Sequence, residues 1–140
     1  MSMTSYCVRS RRMVARDLGI DRSFFDDKLS KPMAILRLLH YPAAPAAPRP
    51  GQLGAGEHTD YGNLTILAQD DVGGLQVMNR DGEWIQATPI PGAFVINIGD
   101  LIQKLTNDNY IANMHRVINA SGRERYSIPF FIDADYDAVI

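Results

Sequence analysis

The sequence predicts an all-β core preceded by one or two helices, and three observations support this prediction. From residue 31 onward, short apolar runs are separated by Gly, Pro, Asn and Asp, which is typical of a β-barrel or β-sandwich. Before residue 31, apolar residues recur at helical spacing instead. At 140 residues, one domain can bury about two-thirds of the surface of its unfolded chain. We therefore expect a helical segment over residues 1–31 and a β domain over 32–140.

Two short helices are predicted in the first 31 residues. The first has apolar residues at roughly helical spacing, namely Tyr6, Met13, Val14 and Leu18, and Gly19 then offers a helix stop. Four arginines share this stretch: Arg9, Arg11, Arg12 and Arg16. We expect them to form a solvated basic face rather than an anion site. Asp21 can cap the second helix, over 22–28, in which Phe24 and Phe25 are expected to pack into the core.

About eight strands are predicted in the rest of the chain, at residues 34–40, 56–60, 64–69, 75–79, 84–88, 93–98, 113–118 and 126–132. The Asn-Arg-Asp-Gly run at 79–82 suits a hairpin, and the Pro-Ile-Pro-Gly run at 89–92 suits a tight reversal. Residues 100–106 are predicted to form a short helix. The prolines of residues 42–50 favour an extended spacer between the first two strands rather than ladder pairing.

Composition narrows the class of partner. The formal net charge is −2, from 14 basic and 16 acidic residues, so no global field favours nucleic acid or an anionic membrane. We expect a small-molecule substrate, while the oligomeric state stays open. The single cysteine, Cys7, excludes an internal disulfide, and no apolar run approaches the length of a membrane span or a signal-peptide core. A cytoplasmic location fits these features best.

A candidate metal site lies in two segments of the β region. In an extended segment, side chains two apart point to the same face, which would place His58 beside Asp60. A bare His-x-Asp pair is more often a surface hydrogen bond than a metal site. However, His58 and His115 both lie in predicted strands flanked by apolar residues, where a buried imidazole needs a partner. Two histidines and one carboxylate on one face of a metal are typical of non-haem Fe(II) oxygenases, although zinc could occupy the same set.

The run from Gly56 to Asp70 (GEHTDYGNLTILAQD) closely resembles the C-terminal domain of the Fe(II)/2-oxoglutarate dioxygenases related to isopenicillin N synthase. Further matches follow in the family's order: Gly73-Gly74-Leu75-Gln76-Val77, Trp84, the segment 89–100, His115-Arg116-Val117 and the segment 123–127. The resemblance covers roughly residues 33–140. It implies a double-stranded β-helix (a cupin-like jelly roll) of about eight strands, with Fe(II) held by His58, Asp60 and His115.

The resemblance also implies a co-substrate site. An Arg-x-Ser pair after the second histidine binds the distal carboxylate of 2-oxoglutarate in this family, and Arg125 and Ser127 match it. Without this motif, a salt bridge from Arg125 to Glu124 or Asp133 would be the preferred interpretation. Tyr41 aligns with a tyrosine whose hydroxyl assists the co-substrate carboxylate, although Leu39 stands where many members have asparagine.

The expected function is therefore oxidation of a small organic molecule by Fe(II), O₂ and 2-oxoglutarate, with release of succinate and CO₂. Hydroxylation, desaturation and ring closure all remain open. Full members of the family have a long N-terminal helical region and a further C-terminal helix, so we expect residues 1–31 to be a truncated form of that N-terminal region. Two alternatives follow: a non-catalytic jelly-roll module that binds metal or co-substrate, and an oxidase of the same family that does not use 2-oxoglutarate.

Overall fold

The computed structural model describes residues 3–45, 49 and 51–139. Within these residues there are two α-helices, α1 (Met3–Asp17) and α2 (Asp100–Leu105), and one 3-10 turn (Asp27–Leu29). The nine strands are β1 (Ala34–Leu36), β2 (Leu39–Tyr41), β3 (Ala55–His58), β4 (Leu64–Gln69), β5 (Leu75–Met78), β6 (Trp84–Gln86), β7 (Val95–Ile98), β8 (His115–Val117) and β9 (Arg125–Ile132). Residues 46–48 and 50 of the predicted proline-rich spacer lie outside the described residues.

The strands form two antiparallel sheets. The first sheet has the order β1-β9-β4-β7, with β2 also paired to β9, and the second has the order β3-β8-β5-β6. Leu67 of the first sheet packs with Leu75 and Val117 of the second, so the two sheets share an apolar interior. Non-sequential neighbours such as β9 and β4 are expected of a jelly roll. The predicted all-β jelly roll is confirmed.

The first predicted strand, residues 34–40, is divided into β1 and β2. Both pair with β9 in one continuous register, from Ala34 opposite Ile132 to Tyr41 opposite Arg125. At the interruption, the Arg37 N–H donates to the Pro129 carbonyl at 3.0 Å, and Pro129 has no N–H to return the bond. One missing donor in β9 therefore explains why nine strands are found where eight were expected.

The N-terminal helix is present, but part of its predicted orientation is wrong. Its buried residues are Cys7, Arg11, Val14 and Ala15, whereas Met13 is 70% exposed. Arg11 therefore does not belong to a solvated basic face. Its guanidinium lies 3.1 Å from Asp26, which Arg12 also contacts at 2.6 Å.

The predicted second helix over residues 22–28 is replaced by turns followed by the 3-10 segment Asp27–Leu29. Asp21 still accepts a hydrogen bond from the Ser23 N–H at 2.7 Å, as expected of a turn-initiating carboxylate. Phe25 is buried in a cluster with Val14 and Ala15, but Phe24 is about half exposed. Only one of the two phenylalanines is therefore a core residue.

Helix α1 rests on the outer face of the first sheet. Cys7 packs with Leu64 and Ile66 of β4 and with Phe130 and Ile132 of β9. Burial raises the pKa of the Cys7 thiol to about 11. No helix in the described part of the chain is long and apolar enough to cross a membrane.

Candidate metal and co-substrate site

The pairing of β3 with β8 brings the two candidate histidines together. His58 lies directly opposite His115 in the register, and their ring centroids are 4.2 Å apart. The Nε2 atom of His115 lies 3.7 Å from Oδ1 of Asp60. One possible ligand atom from each of the three residues lies within 4.8 Å of the others, which is the spacing that a single bound ion requires. The structure thus brings together the three residues that the sequence singled out.

Asp60 does not reach this position as part of a strand. Strand β3 ends at His58, so the predicted strand 56–60 is too long and Asp60 lies in the loop that follows. The Asp60 carbonyl accepts a hydrogen bond from the Asp100 N–H at 2.8 Å, at the start of α2. The Asn97 amide donates to the carboxylate at 3.4 Å. These contacts from β7 and α2 hold the carboxylate beside the histidines.

Both imidazole rings are oriented by backbone carbonyls. Nδ1 of His58 lies 2.7 Å from the Gly56 carbonyl, and Nδ1 of His115 lies 3.0 Å from the Asn113 carbonyl. A carbonyl only accepts, so Nδ1–H donates in each pair and the lone pair of the ring resides on Nε2. Fixing the tautomer by such an outer contact is typical of histidines that ligate metals.

The burial of the site favours a bound cation. Asp60 is 8% exposed and His115 is 6% exposed, while His58 is exposed. A buried carboxylate whose side chain has one neutral amide donor is poorly compensated. A divalent ion among two neutral imidazoles and one carboxylate would supply the missing charge and retain open coordination positions.

The triad opens into a cavity of about 670 Å³ between the two sheets. The lining includes all three candidate ligands and also the predicted co-substrate residues Tyr41, Arg125 and Ser127. Arg125 and Ser127 are two residues apart on β9, so both side chains face the interior, as their spacing predicted. The candidate metal and co-substrate residues thus share one cavity.

Arg125 is completely buried and only partly hydrogen-bonded. Its Nε donates to the Gly73 carbonyl at 2.6 Å, and its Nη2 donates to Oε1 of Gln69 at 3.2 Å. Its Nη1 is buried with no hydrogen-bond partner among the described residues. Neither Glu124 nor Asp133 pairs with it: Glu124 contacts His40 and Tyr126, and Asp133 accepts from the Asn63 N–H. A buried guanidinium with neutral partners and a free donor fits an anionic ligand.

Tyr41 and Ser127 complete the surroundings of this guanidinium. The Tyr41 ring centroid lies 4.9 Å from the central carbon of the Arg125 guanidinium. Ser127 is 3% exposed. A tyrosine ring packed against the cation restricts how the guanidinium can move. A ligand carboxylate would therefore meet a preoriented donor.

Several supporting residues were not predicted from the sequence. Gln69 and the Gly73 carbonyl hold Arg125, and Asn97 holds Asp60, yet no role was assigned to them. Asn97 gave one usable signal, because it is a polar residue inside an apolar strand and a buried amide needs a partner. The contacts of Gln69 and Gly73 join residues more than 50 positions apart, so local pattern could not reveal them.

An open two-histidine, one-carboxylate site in a jelly roll defines the class of non-haem iron oxygenases. Comparison with known families agrees. The 2OG-Fe(II) oxygenase superfamily matches residues 32–134, and the chain belongs to this superfamily.

Fungal relatives and solved structures show the same similarity. The chain is 46% identical over 129 residues to the 2-oxoglutarate-Fe(II) type oxidoreductase hxnY of Emericella nidulans, covering 91% of this chain and 37% of the relative. Over 128 residues it is 47% identical to ppzC of Metarhizium majus, an oxidoreductase of the same type. This match covers 86% of this chain and 34% of the relative. The chain thus spans between one-third and two-fifths of the length of these relatives.

Two solved structures superpose closely. A full-length protein of Neurospora crassa, crystallised in complex with alpha-KG, has a TM-score of 0.90 and 40% identity, covering 96% of this chain and 44% of that one. JOX2 in complex with 2OG, Fe and JA has a TM-score of 0.87 and 40% sequence identity. This match covers 96% of this chain and 40% of the JOX2 chain. The cofactor set of the superfamily is therefore Fe(II) and 2-oxoglutarate, with O₂ as the usual co-substrate.

Proposed function

We propose that this chain forms the catalytic domain of a dioxygenase that uses Fe(II), O₂ and 2-oxoglutarate to oxidise a small organic molecule. In this proposal His58, Asp60 and His115 ligate the iron. Arg125 and Ser127 bind the distal carboxylate of 2-oxoglutarate, assisted by Tyr41. The observation that supports it most strongly concerns Nη1 of the buried Arg125, in the cavity that also contains the triad: it has no hydrogen-bond partner in the described part of the chain.

The electrostatics of the cavity favour this dianionic co-substrate. Two neutral histidines and one carboxylate leave an Fe(II) site with about one net positive charge. Arg125 adds a second positive charge, which is buried and has no carboxylate partner among the residues that the structure describes. A molecule with a carboxylate at each end would neutralise both centres, and a guanidinium can hold a carboxylate with two parallel hydrogen bonds.

Bound iron would supply the redox chemistry that couples O₂ and decarboxylation of 2-oxoglutarate to substrate oxidation. The protein's own task is to orient and enclose the reactants. Nδ1–H of each histidine holds its ring, Asn97 holds the carboxylate, and the apolar walls from Leu67, Leu75 and Val117 limit water in the interior. The products would be succinate, CO₂ and a hydroxylated, desaturated or cyclised substrate.

The solved relatives indicate only that the substrate is a small molecule. One structure of the Neurospora crassa protein contains thymine, and that of JOX2 contains JA. We infer that this chain also acts on a small molecule, in a cytoplasmic setting where its buried Cys7 stays reduced. The division into an N-terminal segment over 1–31 and a dioxygenase domain over 32–140 stays a prediction.

Turnover of the co-substrate tests this proposal. The purified chain, supplied with Fe(II), ascorbate, O₂ and 2-oxo[1-¹⁴C]glutarate, is expected to release labelled CO₂ and an equal amount of succinate. Asp60→Ala should reduce the release at least about 100-fold, because the ion loses its only anionic ligand. Asp71→Ala is the matched control, since Asp71 is exposed and pairs with Arg123 outside the cavity.

A folded, iron-loaded native chain that releases no CO₂ would contradict the proposal and favour the non-catalytic module. Oxidation of a substrate without any need for 2-oxoglutarate would instead favour the other alternative, an oxidase that binds a different carboxylate. Equal turnover by Asp60→Ala and the native chain would show that the metal ligands are assigned wrongly.

A further inference from the structure

The strands that carry the two proposed histidine ligands do not match residue for residue. Ala55 of β3 lies opposite Val117 of β8. Further along, His58 of β3 lies opposite His115 of β8. Three steps along β3 therefore correspond to two steps along β8, so β3 contains one extra residue, which is a β-bulge at 56–57.

The bulge turns His58 towards the cavity. Ala55 and His58 both line the cavity, although residues three apart in a regular strand point to opposite faces. Without the extra residue, Glu57 would lie opposite His115 with its side chain in the cavity, and His58 would point outward. Within the bulge, the Gly56 carbonyl accepts the hydrogen bond from Nδ1–H of His58, at 2.7 Å. The proposed metal site therefore requires the bulged pairing of β3 with β8.

Arg116 spans this bulge on the outer face of the second sheet. Its side chain points away from the cavity, because its two neighbours in sequence, His115 and Val117, line the cavity. Its Nη1 donates to Oε1 of Glu57 at 2.8 Å, and its Nε donates to Oε1 of Gln76 at 2.8 Å. Because β8 lies between β3 and β5, one guanidinium connects the bulged residue of β3 to the strand on the other side.

The guanidinium of Arg116 is itself held in place by an aromatic ring. Its central carbon lies 4.0 Å from the centroid of the Trp84 ring, which is the geometry of a cation–π interaction. The side chains of Arg116 and Glu57 are 20% and 49% exposed. The pair formed by Arg123 and Asp71 is more open, at 62% and 79%. Solvent screens the first pair less, so it constrains the backbone more than an ordinary surface ion pair does.

We propose that Arg116 is a positioning residue for the metal site. By holding Glu57 on the outer face, it stabilises the bulged pairing of β3 with β8, and this pairing turns His58 towards Asp60 and His115. This inference rests on the proposed function, because it takes these last three residues as metal ligands. Arg116 acts from the opposite face of the sheet, so its effect on a bound ion passes through the backbone of β3.

The sign of the effect on Fe(II) affinity separates positioning from direct electrostatics. Arg116→Met keeps a long side chain but removes the charge and both hydrogen bonds. If charge alone mattered, loss of a positive charge near a cation would tighten Fe(II) binding. If Arg116 holds the bulge, the variant should instead weaken Fe(II) binding about tenfold, as loss of an outer contact does at other metal sites. Anaerobic titration with Fe(II) measures this affinity.

A double-mutant cycle tests whether the effect passes through Glu57. Glu57→Gln keeps the size and the acceptor oxygen of this residue, and its loss of charge should weaken Fe(II) binding about two- to fivefold. The double variant should bind Fe(II) no more weakly than Arg116→Met alone, because both substitutions break the same contact. Arg116→Lys should retain most of the affinity. Arg123→Met is the matched control, since it breaks an exposed ion pair outside the cavity and should leave Fe(II) affinity unchanged.

A spectroscopic measurement shows whether His58 leaves the ion. Co(II) is titrated anaerobically into each variant, because its visible absorption depends on the number and geometry of its ligands. The spectrum of Arg116→Met should shift towards that of His58→Ala, whereas the spectrum of Arg123→Met should match the native one. Urea unfolding of the metal-free proteins measures any loss of stability separately. If Arg116→Met does not fold, Glu57→Gln decides, and its spectrum should shift in the same direction.

Three results would overturn the inference. They are an Fe(II) affinity in Arg116→Met that equals or exceeds the native one, losses of affinity that multiply in the double variant, and a Co(II) spectrum that none of these substitutions changes. Failure of the proposed function is a different result. If the native chain binds no Fe(II), or binds it equally well as His58→Ala, the metal site itself is assigned wrongly. If native binding requires His58 but not Arg116, only the role of Arg116 fails.

Discussion

Gly99 and Gly62 bring two backbone segments into close contact beside the candidate metal ligand Asp60. A Cβ atom on Gly99 would lie 2.0 Å from the Gly62 carbonyl oxygen and 3.2 Å from the Asp60 carbonyl oxygen. Both are backbone atoms, which cannot rotate away as a flexible side chain can. The segment before α2 must therefore be glycine at this point for Asp60 to stay beside His115.

Gly99→Ala is expected to displace the segment at Asp60–Gly62 and to weaken Fe(II) binding about tenfold or more, with a loss of roughly 1–3 kcal/mol in stability from the overpacking. Anaerobic Fe(II) titration and thermal denaturation measure the two effects. Gly56→Ala is the control near the same site, because a Cβ there meets nothing within 4 Å and its backbone is not left-handed. An Fe(II) affinity in Gly99→Ala equal to that in Gly56→Ala would contradict this explanation.

The sequence identified the residues with metal-binding or anion-binding chemistry better than the residues that position them. His58, Asp60 and His115 could be singled out because few residue types ligate metals and these three fall in a recognisable order. Arg125, Ser127 and Tyr41 followed from the family resemblance, and their roles stay predictions. Asn97 could be noticed as a polar residue inside an apolar strand, but its partner Asp60 could not be predicted. Gln69 and Gly99 act through contacts that only the folded chain creates, so their roles could not be predicted.

At the scale of elements, α1 is fastened to the rest of the chain by an ion-pair cluster. Arg11 and Arg12 both contact the carboxylate of Asp26, at 3.1 and 2.6 Å. The side chain of Arg11 is only 10% exposed, so loss of its anionic partner would leave a nearly buried charge. The pKa of Asp26 is lowered below its usual value of 3.8, mainly because Arg12 donates a hydrogen bond to the carboxylate.

Asp26→Ala should destabilise the fold by about 1–3 kcal/mol near neutral pH, as measured by denaturant unfolding. Asp27→Ala is the control, because Asp27 is 75% exposed and lies 3.5 Å from Lys28. The folded-state pKa of Asp26 is lowered, so its contribution is complete above pH 3.8 and is lost as the pH falls through the folded pKa. The stability difference between the native chain and Asp26→Ala should therefore shrink in acid, and a difference that stays constant would contradict this.

Most elements of the β region were predicted, and the errors lie at their ends. The hairpin at residues 79–82 joins β5 to β6, and α2 begins at residue 100, as expected. Strand ends depend on where hydrogen-bond partners run out, as at Pro129, and a periodicity of side chains does not contain this information. The burial of Arg11 was missed for a related reason: its partner, Asp26, lies in a turn that had been predicted as helix.

At the scale of the whole molecule, the outer face of the first sheet is only partly covered. Helix α1 covers Ile66 and Phe130, but several large apolar side chains on the same face of this sheet stay exposed. They are Leu36, Leu38, Ile96 and Ile128, with Leu38 the most exposed at 76%. An apolar face of this kind favours association.

We expect the chain to self-associate as its concentration rises, with a mass by light scattering that exceeds the monomer. Leu38→Lys should move the mass towards the monomer, because a charge on this face opposes its burial. Ile85→Lys adds the same charge to β6 of the second sheet, where Ile85 is 50% exposed, and should have a smaller effect. A native chain that stays monomeric at millimolar concentration would contradict this prediction.

The central claim is that one cavity holds iron at His58, Asp60 and His115 and 2-oxoglutarate at Arg125. An anaerobic titration with Fe(II) and then 2-oxoglutarate tests it most directly, by the visible charge-transfer band of a chelated 2-oxo acid. We predict that the band forms in the native chain, is absent in His58→Ala, and needs at least about tenfold more 2-oxoglutarate in Arg125→Gln, whose Fe(II) affinity is unchanged. No band in a folded, Fe(II)-loaded native chain, or an unchanged requirement in Arg125→Gln, would contradict the claim.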